Sequence, residues 1–309
     1  MLAADKAGLV RGVFESVAPK YDLMNDLMSA TLHRQWKDDL VEMLAPRPGC
    51  RHIDVAGGTG DVAFRIFDRI RRRLPPGSAA WQPRASEIVV YDINQAMLEE
   101  GRSRALAKGY PSSNSLYGGI DFLNRGSDWD GSSHDDHNHH HHADKSIGQA
   151  PTQFDDEAHN ERLAHEPVKL AWVQGDAERL DRFPDDSFDS YTIAFGIRNV
   201  TDIPQALREA ARVLRPGGRL LVLEFSQVQS AGLRELYEAY SFNVIPAIGE
   251  MVADDRESYQ YLVESIRQFP PQLEFANMLR EVGFEHVQHT NFLDGVVAVH
   301  SGIQVRAED

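Results

Sequence analysis

Residues 53–60 read Ile-Asp-Val-Ala-Gly-Gly-Thr-Gly, and no other stretch constrains the fold as strongly. A short β-branched run carrying an acid ends in a glycine-dense turn. Asp61-Val62-Ala63-Phe64-Arg65-Ile66-Phe67 follows, with apolar residues recurring at helical spacing. Strand, glycine turn and helix is the arrangement by which an α/β protein brings bare backbone against a nucleotide-like ligand at the carboxyl end of a strand. Gly58 and Gly60 are expected to let the main chain approach where a Cβ would collide.

The acids downstream narrow the ligand. Val89-Val90-Tyr91-Asp92 reads as a second strand whose terminal Asp92 is placed to take two ribose hydroxyls. Ala171-Trp172-Val173-Gln174 reads as a third, ending in Gly175-Asp176-Ala177, which frames an adenine edge. A dinucleotide would call for Gly-x-Gly-x-x-Gly and a helix amino end facing pyrophosphate. Here Asp61 would set a negative charge against that phosphate. S-adenosylmethionine has no phosphate and carries a sulfonium cation, so nearby carboxylates favour it. A second anchor lies downstream: a helix from Ala206 to Leu214, a turn at Arg215-Pro216-Gly217-Gly218-Arg219, then a buried strand from Leu220 to Glu224. Both anchors in order, with Asp92 and Asp176 between them, point to a methyltransferase domain.

Composition excludes other classes. The net charge of −15 argues against nucleic acid, whose phosphates need clustered Lys and Arg, and no Asn-Pro-Pro-Tyr type loop is present. No run of about 18 apolar residues reads as a membrane span. The single cysteine, Cys50, rules out a disulfide framework and has no evident base to make it a nucleophile. Residues 109–167 hold 11 acidic against 3 basic residues and 8 of the 13 histidines, with no sustained periodicity. This is read as a disordered insertion whose histidine tract is solvated loop rather than a metal centre. A smaller insertion at 71–86 explains why Asp92 lies 32 residues past Gly60.

Six blocks carry a resemblance to the C-methyltransferase family of ubiquinone and menaquinone biosynthesis. They are Val13–Ala18 leading into Tyr21–Asp26 and His33–Lys37, the glycine turn with Ala56 in place of a first glycine, and Phe195–Val200. Ser241–Pro246, Ser258–Arg267 and Gly295–His300 complete the set. The chain departs from the family pattern at Thr31, Ala194 and Asp294. The resemblance implies one doubly wound, seven-stranded α/β domain of the class I methyltransferase type, with the final strand inserted antiparallel. A helical lid over 5–45 and a substrate cap over 230–270 are expected. Within the cap, the apolar stretch 233–252 suits an isoprenoid tail, though part of it reads equally as core.

The implied reaction is transfer of a methyl group from S-adenosylmethionine to a ring carbon of a polyprenylated methoxy-benzoquinol. A demethylmenaquinol substrate, or a silent scaffold in a quinone-synthesis complex, are the alternatives. The expected cofactor set is Gly57, Gly58, Thr59, Gly60, Asp92, Asp176, Ala177 and Ala194, with Asp54 orienting the turn. A phenol ring carbon becomes nucleophilic when the adjacent hydroxyl loses its proton, so a base or phenolate stabiliser is needed. Arg198 is the leading candidate, either stabilising the phenolate or polarising a water; the alternative is pairing with Asp202 or Glu224. Asn199 and Tyr21 are further candidate catalytic residues, and His33 and His300 weaker candidate bases. Homodimerisation, other quinone-biosynthesis proteins as partners, and a peripheral place on the matrix face of the mitochondrial inner membrane are implied by resemblance alone. A presequence would then lie outside this chain.

Overall fold

The computed structural model describes residues 32–74, 84–112, 166–235 and 256–305. The expected lid, both insertions and the cap lie partly or mainly outside these ranges, as do Tyr21 and the histidine tract. Seven strands form one sheet in the order β3-β2-β1-β4-β5-β7-β6. β1 (Arg51–Val55), β2 (Ser86–Asp92), β3 (Val168–Gln174), β4 (Phe188–Ala194) and β5 (Leu214–Phe225) are parallel. β7 (Val297–Gln304) runs antiparallel between β5 and β6 (Phe284–Phe292), as expected.

Flanking the sheet are the helices α1 (Leu32–Leu44), α2 (Asp61–Arg73), α3 (Gln95–Ala107), α4 (Ile203–Val213), α5 (Arg256–Gln268) and α6 (Gln272–Glu281). Alternation in the strands divides the core. Ile88 and Val90 of β2 join Leu40, Phe64, Phe67 and Leu98 of α1–α3 on one face. Val89 and Tyr91 join Leu207 of α4 and Phe275 of α6 on the other. A parallel sheet covered on both faces is why these strands read as continuous apolar runs.

Local signals set the helix ends. Asn94 caps α3 by accepting the Met97 amide, and Asp202 caps α4 by accepting the Gln205 amide. With Asp202 as cap and Pro204 in the first turn, α4 begins three residues before the expected Ala206. The segment at Pro216 also differs from expectation. The strand starts at Leu214, which pairs with Phe188, and Gly217 at φ +79° sits in a register shift before Ser190 pairs with Arg219. The Pro-Gly-Gly turn thus interrupts the pairing inside β5 rather than preceding the strand.

Trp172 of β3 wedges the glycine turn against α3. A Cβ on Gly60 would lie 2.6 Å from its Cη2, and one on Gly101 2.5 Å from its Cζ3. Gly60, at φ +79°, is therefore demanded by core packing against Trp172, a constraint that its place in the turn did not reveal. The Trp172 indole donates to Ser112 Oγ at 2.7 Å, so the ring is anchored. In an open helix Gly101→Ala would gain about 1 kcal/mol of helix propensity. Overpacking against a fixed indole costs about 1–3 kcal/mol, so a lower urea midpoint is expected. A Gly101→Ala variant as stable as the parent would show that Trp172 can move aside.

Candidate functional site

The carboxyl ends of β1, β2, β3 and β4 open into a cavity of about 580 Å³, within the size range of small-molecule sites. Gly57, Gly58, Thr59, Asp92, Asp176, Ala177, Ala194 and Asn199 all line it, so the topology gathers most of the residues named from sequence. Gly60 and Arg198 are not among its lining residues.

The β1 turn is shaped from three sides. Gly57 leaves no room for a side chain, because a Cβ would lie 2.8 Å from Val90 Cγ1. Gly58 takes φ +51° and donates its amide to Asp92 Oδ2 at 2.8 Å. Asp92 Oδ1 accepts the Asn94 amide at 2.8 Å. Asp92 thus has a structural task that its position at a strand end did not reveal: it ties the glycine turn to the start of α3. Its second lone pairs remain for a ligand. Thr59 Oγ1 accepts from Arg104 of α3 at 2.8 Å. That contact was missed in the sequence, because it joins residues 45 apart.

Beyond β3, a Cβ on Gly175 would meet the Tyr91 hydroxyl at 1.9 Å, and that hydroxyl donates to the Arg179 carbonyl at 3.0 Å. Tyr91 therefore holds the 175–179 loop over the cavity. Asp176 is exposed and accepts the Glu178 amide through Oδ1 at 2.9 Å. After β4, Phe195 takes φ +56° opposite Ala56 at φ +51°. Gly196 fits beneath Ala56, whose Cβ lies 2.4 Å from where its own would be. Left-handed conformation at two non-glycine residues stores about 1–2 kcal/mol each.

Charge inside the site is unevenly balanced. Lys37 of α1 is buried and pairs with Asp61 at 2.8 Å, while Arg65 also bonds Asp61. Burial opposes ionisation of Asp61, but Lys37 and Arg65 overcome it and hold the carboxyl well below the usual range. The first turn of α2 thus already carries the protein's own negative charge, which suits a ligand without phosphate. Asp54 is 1% exposed; its Oδ1 accepts from Thr192 at 2.7 Å, and its Oδ2 makes no hydrogen bond. Burial pushes Asp54 up to about 7, with Thr192 and Lys37 opposing. An orphaned acceptor at a cavity wall is a fit place for a cationic donor group. The turn's bare backbone and the carboxylates of Asp54 and Asp92 suit S-adenosylmethionine.

Arg198 is buried and makes the Glu224 pairing that the sequence offered as its alternative. It donates to Glu224 Oε1 at 2.8 Å and to the Phe195 carbonyl at 2.5 Å, with its guanidinium 5.5 Å from the Phe225 ring centroid. Burial raises Glu224, and Arg198 opposes that rise. Asn199, next in the chain, reaches the cavity and accepts from the Tyr261 hydroxyl of α5 at 3.4 Å. Tyr261 stands in one of the six sequence blocks, but no spacing rule placed it beside Asn199. His300 packs under α6, donating Nε2–H to the Gln272 carbonyl at 3.0 Å, and burial pushes it down to about 4. His33 is buried on α1 and does not line the cavity. The Cys50 thiol is pushed up to about 11 by burial and then by Asp189, so it stays protonated. Among the described residues no cluster of three or more His, Cys, Asp or Glu is placed to hold a metal, and no helix is long and apolar enough to cross a membrane.

The sequence profile of the ubiE/COQ5 methyltransferase family matches residues 1–128 and 155–304. The chain is 48% identical over 298 residues to the "Ubiquinone/menaquinone biosynthesis C-methyltransferase UbiE" of Paracoccus denitrificans, covering 96% of this chain and 91% of that one. It is 46% identical to the mitochondrial "2-methoxy-6-polyprenyl-1,4-benzoquinol methylase" of Oryza sativa, covering 97% and 85%, and 42% identical to the protein of that name in Homo sapiens, covering 97% and 81%. Among solved structures, an S-adenosylmethionine-dependent methyltransferase from Thermotoga maritima shares the fold at TM-score 0.50 and 16% identity, over 95% of this chain and 99% of that one.

The Arg198–Glu224 pair generates a stability prediction. Arg198→Ala leaves a buried carboxylate unpaired and is expected to cost about 3–5 kcal/mol, read from the urea midpoint. Replacing both residues together, Arg198→Met with Glu224→Leu, is expected to recover most of that loss. Equal losses in the single and double variants would show that the pair is not what stabilises the loop.

Proposed function

The chain belongs to the ubiE/COQ5 methyltransferase family, and on that premise we propose the part each residue plays in methylating a quinol ring. It is an S-adenosylmethionine-dependent C-methyltransferase of ubiquinone biosynthesis. The observation that carries the site assignment is the β1–β4 cavity, where a turn of bare backbone meets the buried carboxylate of Asp54 and the half-buried one of Asp92.

Gly57, Gly58, Thr59 and Gly60 form the cradle, Asp92 takes the ribose hydroxyls with its remaining lone pairs, and Asp176 and Ala177 edge the adenine. Asp54 and Lys37, on the β1–β4 side, take the amino-acid end, and Ala194 lies against the donor after β4. When bound, the donor supplies an electrophilic methyl on a sulfonium leaving group. The chain's own residues must place the ring in line with that methyl and favour the phenolate. Asn199, with Tyr261 behind it, presents hydrogen-bonding groups to a quinol oxygen. Arg198 is too basic to remove a proton itself and acts by its charge, damped by Glu224. Tyr21, outside the described residues, is retained as a third polar contact from the amino-terminal segment.

The substrate is a polyprenylated methoxy-benzoquinol, as the names of the mitochondrial relatives support; the bacterial relatives' names leave demethylmenaquinol as the second reading. A mitochondrial location follows the same relatives, with a place on the matrix face of the inner membrane, a homodimer and quinone-biosynthesis proteins as partners forming part of this proposal.

Two measurements test this reading. Asp92→Asn keeps one oxygen for a backbone amide but removes the charge, so calorimetry should show S-adenosylhomocysteine affinity reduced at least about tenfold, one lost charge-assisted pair being worth about 1.5–3 kcal/mol. Unchanged affinity would move the donor elsewhere. Incubated with short-tailed quinols, the wild type should methylate the methoxy-benzoquinol in preference to the naphthoquinol; the reverse preference would overturn the substrate assignment.

A further inference from the structure

Beneath the cavity, between β1 and β4, lies a chain of polar side chains of which the reaction as described uses only Asp54. His52 and Asp54 alternate with Ile53 and Val55, and Ser190 and Thr192 alternate with Tyr191 and Ile193. The parallel register sets His52 beside Ser190 and Asp54 beside Thr192, all four on the α1–α2 side of the sheet. His52 and Thr192 are fully buried, Asp54 is 1% exposed and Ser190 is buried. The contacts form one line: Ser190 Oγ to His52 Nδ1 at 2.7 Å, His52 Nε2 to Thr192 Oγ1 at 3.0 Å, and Thr192 Oγ1 to Asp54 Oδ1 at 2.7 Å.

Such a line has two directions in which every link is a hydrogen bond, because each hydroxyl has one proton and a neutral imidazole one N–H. His52 is held neutral, since burial pushes it down to about 3. With Asp54 ionised, Thr192 must donate to Oδ1. Thr192 can then only accept from His52, so the proton sits on Nε2 and Ser190 donates to bare Nδ1. With Asp54 protonated, a proton on Oδ2 would be a buried donor without a partner, at a cost of about 1–3 kcal/mol. On Oδ1 it can be donated to Thr192. Thr192 then donates to bare Nε2, and Nδ1–H donates to Ser190. Passing from the second direction to the first releases one proton and exchanges the histidine tautomer.

We infer that His52 is a positioning residue for methyl-donor binding: through Thr192 it orients the Asp54 carboxylate for an ammonium group, and its tautomer switches when that group arrives. The inference rests on the reading that the cavity takes S-adenosylmethionine, and adds to it the route by which a residue with no access to the ligand responds to the ligand's amino-acid end. Groups facing Asp54 from every side fit this. Lys37 of α1 favours the anion, as does the Ala63 amide of α2; Asp61 of α2 opposes it, and Tyr191 of β4 stays a neutral phenol, raised first by burial. Because Asp54 sits at about 7, it is mainly protonated below that pH. An arriving ammonium must then displace a proton, so affinity should fall about tenfold per pH unit below the Asp54 value and level off above it.

The test is ¹⁵N nuclear magnetic resonance of the full chain labelled in histidine, at pH 6, with the His52 signal assigned by its loss in His52→Gln. The free protein should show Nδ1–H, and saturation with S-adenosylhomocysteine should show Nε2–H. 5′-Methylthioadenosine, which keeps the nucleoside but lacks the amino-acid end, should bind without moving the tautomer. If S-adenosylhomocysteine binds by calorimetry yet leaves the tautomer unchanged, or if both ligands change it alike, the inference falls while the donor reading stands. If neither ligand binds, the donor reading itself fails and takes the inference with it. Thr192→Val should weaken S-adenosylhomocysteine about tenfold and spare methylthioadenosine, with Thr192→Ser restoring the difference. Equal weakening of both ligands would mark Thr192 as mere packing and overturn the relay.

Discussion

The glycine turn after β1 keeps its shape because its neighbours leave it no alternative. Val90 stands where a Cβ on Gly57 would go, Trp172 where one on Gly60 would go, and Asp92 draws the Gly58 amide across from β2. Arg104 reaches from α3 to the Thr59 hydroxyl. Everything at the site is placed relative to this turn. α2 leaves it with Asp61 in its first turn, α1 docks through Lys37 on that acid, and Asp92 begins the approach to α3. Rigidity here costs two left-handed non-glycine residues, Ala56 and Phe195, and the surrounding parallel strands hold them in that strain.

Buried charge is handled in two ways that match two kinds of work. Some acids are fully paired: Glu224 with Arg198, and Asp61 with Lys37 and Arg65. Where a ligand is expected, pairing is incomplete. Asp54 keeps one oxygen without a partner, and Asp92 holds backbone amides while retaining lone pairs. In a low-dielectric interior an incomplete carboxylate is costly, and an arriving cation or hydroxyl recovers part of that cost. The asymmetry separates binding residues from scaffold residues among acids that look alike in the sequence.

Much of this was legible in the residues themselves. Strand-terminal acids at 92 and 176, the glycine turn and the apolar runs located four of the strands and most of the cavity wall, because ligand contact and burial leave local chemical signatures. Capping was legible in principle as well: Asp202 followed by Pro204 marks the start of α4. The Pro-Gly-Gly turn was legible, but not that Leu214 ahead of it pairs with Phe188 and so puts the turn inside β5. For Arg198 the residues left two readings, a ligand or a pairing with Asp202 or Glu224, and the fold brings it to Glu224, 26 residues away on the next strand.

By itself, the sequence determined the fold class, the family and the cavity's position at the strand ends, since each depends on local patterns of two to eight residues. Only the tertiary structure decided what each of those residues does. Gly60 answers to Trp172, Asp92 to the Gly58 amide, Arg198 to Glu224, and Asp54 to a histidine it never touches. Hydrogen bonds and steric exclusion act over a few ångströms between residues tens of positions apart. Their partners exist only once parallel strands have set the register.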